Sequence, residues 1–138
     1  MLAIRPYETQ DFEGVRALWR RCFPNDPPRN QAEASIPAKL AFQPELFLVA
    51  ILDGRAIGTT MAGYDGHRGW LYSVAVDPQA QRGGVGTALV RDAEARLRAL
   101  GCVKINLQIR ATNQAVIAFY RKLGFDVEDH LSMGKLLR

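Results

Sequence analysis

The sequence predicts an α/β fold, a mixed β-sheet with helices on both sides in the order β-α-α-β-β-β-α-β-α-β-β. Three observations carry this. Apolar residues recur at helical spacing around residues 12–22, 85–100 and 113–123. Short β-branched runs at 47–52, 56–63 and 70–76 follow one another across short turns, which makes an antiparallel meander. A helix then joins the run at 71–76 to the one at 104–109, so those two strands should be parallel neighbours.

Taken in order, residues 2–5 are short and apolar, a first strand. Phe12, Val15, Leu18, Trp19 and Cys22 make one face of a helix, with Arg16, Arg20 and Arg21 between them and Thr9 as its cap. Prolines 24, 27 and 28 end it. Residues 30–42 carry Ala32, Ile36, Leu40 and Ala41 at helical spacing, and Pro37 should kink or divide that helix. Asp53-Gly54 is a two-residue hairpin signal between the strands at 47–52 and 56–63. A second turn, Tyr64-Asp65-Gly66-His67-Arg68-Gly69, leads into the strand at 70–76. Val85, Leu89, Ala93, Leu97 and Leu100 form the apolar face of a longer helix that Gly101 terminates. Residues 104–109 alternate polar and apolar as a strand, 113–123 form a helix closed by Gly124, and 125–128 and 131–137 read as a final pair of strands.

A chain of 138 residues suits one domain spanning 1–138 with a sizeable core, and 48% hydrophobic and 23% charged residues are ordinary for a globular protein. No apolar run approaches the ~20 residues of a membrane span, and Leu2-Ala3-Ile4-Arg5-Pro6 is no signal peptide, so the expected location is cytoplasmic. Cys22 and Cys102 read as buried free thiols, and no Cys/His spacing points to a metal. The net charge of +4 is spread among carboxylates with no basic-aromatic ladder, which argues against nucleic acid and suits an anionic ligand.

The stretch around which the chain is organised is Val74-Ala75-Val76-Asp77-Pro78, then Gln81-Arg82-Gly83-Gly84-Val85-Gly86-Thr87. Proline stops the strand, three glycines make a loop, and a helix begins. Such a loop can turn successive backbone N–H groups inward with no Cβ in the way, and the helix adds the positive end of its dipole, a combination suited to pyrophosphate. No Lys follows as a P-loop requires, and position 89 is Leu where the dinucleotide fingerprint wants a third glycine.

Gln81, Gly84 and Gly86 after a strand ending Val-x-Val-x-Pro resemble the acetyl-CoA loop of the GNAT N-acetyltransferase family. A second segment, Asn113 through Ala118, Tyr120, Gly124 and Phe125, resembles that family's Asn-x4-Ala-x-x-Tyr-x3-Gly-Phe motif. The resemblance covers essentially the whole chain. It implies a GNAT-like sheet and an acyltransferase that moves acetyl from acetyl-CoA to a primary amine in a direct ternary complex, without a metal. Val74, Ala75 and Val76 would pair with the pantetheine arm, and residues 82 through 87, with Gln81, would hold the pyrophosphate. Arg82 would add charge there, beside its alternative reading as a solvated loop residue. Asn113 would bond the pantetheine chain or cap its helix, or both. A backbone N–H at the end of the 74–76 strand would stabilise the oxyanion, and Tyr120 would be the general acid, against the alternative of a core aromatic beside Phe119. The first helices would border the acceptor groove.

The general base is less defined. Some amino-terminal acetylases of the family carry Glu where this chain has Gln108, and glutamine cannot accept a proton. Asp65 and His67 on the second turn, Tyr72, or a water chain are the substitutes, and Tyr64, Asp65, His67 and Gln108 are the acceptor-side candidates; an ordinary solvated hairpin tip is the plain reading of that turn. Expected partners are acetyl-CoA and an amine acceptor, a small molecule or a protein amine, with neither nucleic acid nor membrane and with a homodimer left open. The non-enzymatic alternative is an acyl-CoA-binding regulatory domain that kept the loop and lost the chemistry.

Overall fold

The computed structural model describes residues 1–137. They form two compact units, Met1–Leu107 and a second that begins at Gln108.

In the first unit β1 (Leu2–Pro6), β2 (Phe47–Leu52), β3 (Arg55–Tyr64), β4 (Gly69–Val76) and β5 (Ile105–Asn106) form one sheet in that spatial order. The first four are antiparallel to their neighbours and β5 is parallel to β4. The predicted meander and the parallel crossover are both present. Asp53 (φ 50°) and Gly54 (φ 78°) make the tight turn between β2 and β3, in the left-handed conformation that such hairpins need at both positions.

Helices cover both faces. α1 (Phe12–Cys22) and α2 (Ala32–Leu40) pack Val15, Leu18, Trp19, Ala32 and Ile36 against Phe47, Val49, Met61 and Ala75. Tyr7 stacks on Phe47 at a ring distance of 4.8 Å. Residues of β3 that alternate with these face the other way, where α3 (Val85–Ala99) lies. Gly58 sits there: a Cβ on it would stand 2.8 Å from Leu89 Cδ1 and 3.1 Å from Val85 Cγ1, so only glycine lets α3 approach this closely.

Two local readings are corrected. α1 is not capped by Thr9; residues 9–11 form a 3₁₀ turn, and the Asp11 carboxylate accepts from Glu8 N at 2.8 Å while Arg5 grips both its oxygens. Burial alone would raise the Asp11 carboxyl, but Arg5 and the Glu8 N–H together hold it below the ordinary carboxylate range. Pro37 lies inside α2 without dividing it.

β4 is irregular in the middle. Thr59 pairs with Ala75 and Met61 with Tyr72, so one β3 residue, Thr60, faces two β4 residues, Ser73 and Val74. This is a β-bulge, and Ser73 takes φ 49° to make it. The Thr59 hydroxyl, fully buried on the α1 side, donates to Ser73 O at 2.8 Å and accepts from Trp19 Nε1 at 2.9 Å.

The strand expected at 104–109 is reduced to Ile105–Asn106, whose partners are Gly69 and Trp70. Its ladder stops short of the bulge, where the β4 backbone turns away from regular pairing. In the second unit α4 (Gln114–Lys122) matches the expected helix, with Gly124 in the left-handed region beyond it. The strands expected at 125–128 and 131–137 are not formed. Alternation makes a strand only where a neighbouring edge accepts it. Here Leu131, Met133 and Leu137 are exposed and Gly134 interrupts the run.

The two threonines give a direct test of the bulge. Thr60 Oγ1 is buried with no hydrogen-bond partner, whereas Thr59 Oγ1 serves two. Thr60→Val should leave urea-denaturation stability unchanged or raise it, because it removes an unsatisfied hydroxyl. Thr59→Val should lose about 1–3 kcal/mol by stranding a buried carbonyl and an indole N–H. Equal effects of the two would contradict this assignment.

Candidate active site

β4 presents one paired and one open edge. Its β3 side is laddered apart from the bulge, while β5 accompanies it only at Gly69 and Trp70. Along residues 71–76 no strand among the described residues occupies the β5 side. Backbone polar groups on such an edge require some partner, water or ligand. Val74, Ala75 and Val76, the predicted pantetheine-pairing residues, lie on this segment.

The strand ends at Asp77, whose N–H donates to Ile57 O at 2.8 Å. Its buried carboxylate caps the turn at Pro78–Ala80 by accepting from Gln79 N at 3.0 Å, and Arg21 bonds it at 2.8 Å. The Gln79 N–H, with Arg21 and Arg55 behind it, holds this carboxyl below its ordinary range. The sheet is thereby tied to the start of the glycine loop. Gln81 turns back and donates to Val76 O at 3.4 Å. Gly84 is the residue before α3 and takes φ 76°, where a Cβ would be strained. The first intrahelical bond runs from Ala88 N to Gly84 O at 3.0 Å. The N–H groups of Val85, Gly86 and Thr87 are therefore first-turn donors that the helix itself leaves unused. Arg82 and Gly83 are exposed on the same loop.

On the α1 side, Trp19, Phe23, Asn30 and Gln31 line a hollow of about 370 Å³ between α1 and the segment leading to α2, with Glu33 paired to Arg16 and Arg20 at its rim. The second turn is more ordered than its composition announced. The Asp65 carboxylate accepts from Arg68 N at 2.7 Å and from His67 N at 2.8 Å. Those two N–H groups lower its pKa. β3 outruns β2 here, and side chains stand in for the missing strand: the Gln43 amide bonds both Tyr64 N and Tyr64 O, and Lys39 donates to Ala62 O. Tyr72 is about half exposed and stacks near Trp70, and burial of the remainder raises its pKa.

In the second unit Asn113 caps α4, its side chain accepting from Val116 N at 3.3 Å. Tyr120 is 6% exposed and packs edge-on between Phe119 and Phe125, at 4.9 and 5.4 Å. Burial pushes its pKa up to about 12. Gln108 Nε2 donates to Ser132 Oγ. Of the predicted site residues, Val74, Ala75 and Val76 lie on β4, Tyr64 ends β3, Val85, Gly86 and Thr87 open α3 and Tyr120 lies in α4, whereas Asp65, His67, Gln81 through Gly84 and Gln108 lie outside helices and strands. Trp19, Thr59 and Ser73 were not among the predicted residues, although the strand carried their signal. Leu71 and Val76 both face the α3 side, through their partners Ala62 and Gly58, yet stand five residues apart. An odd separation on one face requires a bulge between them.

Among the described residues no cluster of three or more His, Cys, Asp or Glu is arranged to hold a metal, and no helix is long and apolar enough to cross a membrane.

The pattern of the Acetyltransferase (GNAT) family matches residues 12–125. An acetyltransferase of Pectobacterium atrosepticum is 43% identical over 136 residues, 99% of this chain and 96% of that protein. An acetyltransferase of Sodalis glossinidius is 44% identical over 137 residues, with the same coverage. Among solved structures, the ribosomal-protein-S18-alanine N-acetyltransferase from Escherichia coli aligns with TM-score 0.76 and 26% identity over 91% of this chain and 78% of that one. The aminoglycoside N-acetyltransferase AAC(6')-Iy, solved with a CoA-containing bisubstrate analogue, shares the fold at TM-score 0.82 and 20% identity, covering 99% and 98% of the two chains.

The burial of Tyr120 makes a stability prediction independent of any reaction. A phenol with a folded pKa near 12 and an unfolded pKa near 10 contributes stability that is complete below pH 10 and lost as pH rises through 12. By pH 11 that loss should reach about 1 kcal/mol. Urea denaturation at pH 8 and pH 11 should show the wild type losing that much more than Tyr120→Phe; equal losses would mean the hydroxyl titrates as if exposed.

Proposed function

Because the chain belongs to the GNAT acetyltransferase family, we propose that it transfers the acetyl group of acetyl-CoA directly to a primary amine of low pKa within a ternary complex. The observation that carries this reading is the open β4 edge at 71–76 running straight into a glycine loop at a helix N-terminus. A pantetheine arm offers amides at the spacing of a strand, and along the Val74–Val76 segment the edge offers the Val74 C=O and the Val76 backbone groups, Ala75 between them being registered with Thr59 on β3. A pyrophosphate then meets the N–H groups of residues 82 through 87, the dipole of α3 and the charge of Arg82. Gln81 orients the loop, and Asn113 serves the pantetheine chain as well as its own helix. The match over 12–125 takes in parts of both compact units, which supports treating the whole chain as one such domain.

In the reaction the amine lone pair attacks the thioester carbon, and the carbonyl oxygen becomes an oxyanion. The Val74 N–H at the bulge is the donor for that oxyanion, the kind of interaction worth roughly 3–4 kcal/mol when preorganised. The C–S bond breaks, the thiolate takes a proton from Tyr120, the new amide loses its extra proton to solvent, and the Tyr120 phenolate recovers a proton from solvent. A phenol held protonated up to about pH 12 is never the limiting charge state at neutral pH. The base side is weaker. Asp65 is committed to the turn and held below the ordinary carboxylate range, and Tyr72 is neutral where the enzyme works. An α-amino group, with pKa ~8, is partly deprotonated without help, whereas a lysine amine, pKa ~10.4, is not. An N-terminal amine is therefore the favoured acceptor class, as in the alanine N-acetyltransferase that aligns with this chain. Tyr64, Asp65, His67 and Gln108 are assigned to the acceptor side.

Two measurements test the reading. Gly86→Asp puts a carboxylate among the first-turn donors of α3, and calorimetry should show CoA affinity at least ~10-fold weaker in a folded variant. Undiminished affinity would remove the loop from the site. Tyr120→Phe should keep CoA affinity and lower kcat toward the low end of the ~10²–10⁴ range of general acid–base steps, since a thiolate leaves readily. Identical kcat profiles across pH would reduce Tyr120 to packing.

A further inference from the structure

The bulge in β4 is held by a two-bond relay from α1. Trp19 Nε1–H donates to Thr59 Oγ1, and Thr59 Oγ1–H donates to Ser73 O. A hydroxyl has one proton to give, so this arrangement has a fixed sense: the indole N–H occupies the acceptor side of the oxygen, and the hydroxyl sends its only proton to the carbonyl. Thr59 is fully buried and Trp19 is 4% exposed, so water has little access to the bond between them, and the bond to Ser73 O is partly buried. Ser73 O has turned out of the β3 ladder toward the α1 side to meet the hydroxyl, and neither Ser73 nor Val74 has a partner in the register.

That carbonyl belongs to the same peptide plane as the Val74 N–H. In a trans peptide the two point in opposite directions, and the chain has no cis peptide bond. Fixing Ser73 O on the α1 side therefore fixes the Val74 N–H pointing away from it. The register on either side imposes a bulge here, and the relay selects how the bulged peptide is tilted; without it the Ser73–Val74 peptide would be free to rotate within the bulge and the N–H would swing with it.

We propose that Trp19 and Thr59 are positioning residues for acetyl transfer, setting through Ser73 O the direction of the Val74 N–H that stabilises the oxyanion. This rests on the acetyl-CoA reading above and assigns a task to two residues that touch neither substrate. It also couples α1, whose Trp19 lines the hollow beside the segment leading to α2, to the strand where the thioester would lie. A ligand seated in that hollow would press on the relay.

The test uses Thr59→Val, Thr59→Ser and Trp19→Phe in the full chain. Calorimetry measures CoA binding, thiol release from acetyl-CoA measures kcat and KM with an alanine-starting peptide and an aminoglycoside as acceptors, and the ¹⁵N–¹H signal of Val74 reports its N–H directly. Thr59→Val should lower kcat ~10–100-fold, part of what removal of a whole oxyanion donor costs, with CoA affinity within about twofold of wild type. The Val74 signal should shift, and Thr59→Ser should restore both readouts. Trp19→Phe should fall between, because the hydroxyl remains but is no longer oriented. Wild-type kcat in a folded Thr59→Val variant would overturn the proposal, and so would a kcat loss that Thr59→Ser does not rescue. Should Thr59→Val fail to fold, an unchanged kcat and Val74 signal in Trp19→Phe would overturn it equally. A wild-type chain that does not bind CoA would instead sink the acetyl-CoA reading, and the Val74 signal would still report the relay.

Discussion

β4 has to be an interior strand and an open edge at once, and most of the structure follows from that constraint. On its β3 side it is laddered like any central strand, which fixes its position in the core. On its β5 side pairing ends after Trp70. An unpaired edge in the middle of a sheet exposes backbone groups that folding would ordinarily satisfy, so the remaining contacts must hold the strand without it. α1 and α3 clamp the two faces, Gly58 lets α3 come close, and the Asp77 N–H pins the strand end to Ile57. Rigidity from three sides makes the fourth available.

The electrostatics are arranged along the same line. Asp77 would place a negative charge just before the anion-seeking loop, and its carboxylate is instead consumed by Gln79 N, Arg21 and Arg55. Left unpaired, a carboxylate there would oppose any anion at the loop, so its pairing suits the proposed pyrophosphate site.

What could be read from the sequence is what depends on neighbours a few residues apart. The helical faces of α1 and α3, the Asp53-Gly54 turn, the glycine loop and the parallel β4–β5 crossover all have local signals and all formed. The residue patterns at Gln81, Gly84, Gly86 and Tyr120 pointed to the family that the comparisons show. What failed depended on distant partners. Residues 131–137 alternate like a strand but do not form one, and Thr9 falls in a 3₁₀ turn before α1, where Arg5 from β1 and the Glu8 N–H hold Asp11. The bulge lay between these cases. Its signal, the odd spacing of Leu71 and Val76, was local, but it becomes legible only once both are known to face the same helix.

The proposed chemistry then turns on an asymmetry between the two protons that such a reaction must move. On the acid side of that proposal, a buried phenol, pushed to about pKa 12, stays protonated and is available to a thiolate. The base side is not built to match. Gln108 cannot accept a proton, and the Asp65 carboxylate is weakened as a base by the N–H groups that hold its turn. A phenol this weakly acidic is also a reluctant donor, so its help is modest and the burden falls on stabilising the oxyanion. Under that proposal the direction of one backbone N–H is the most sensitive element of the site. Under the same proposal one acceptor class is favoured: where a site supplies orientation but little basicity, the amine must arrive with its lone pair already free, and an α-amino group meets that requirement far better than a lysine side chain.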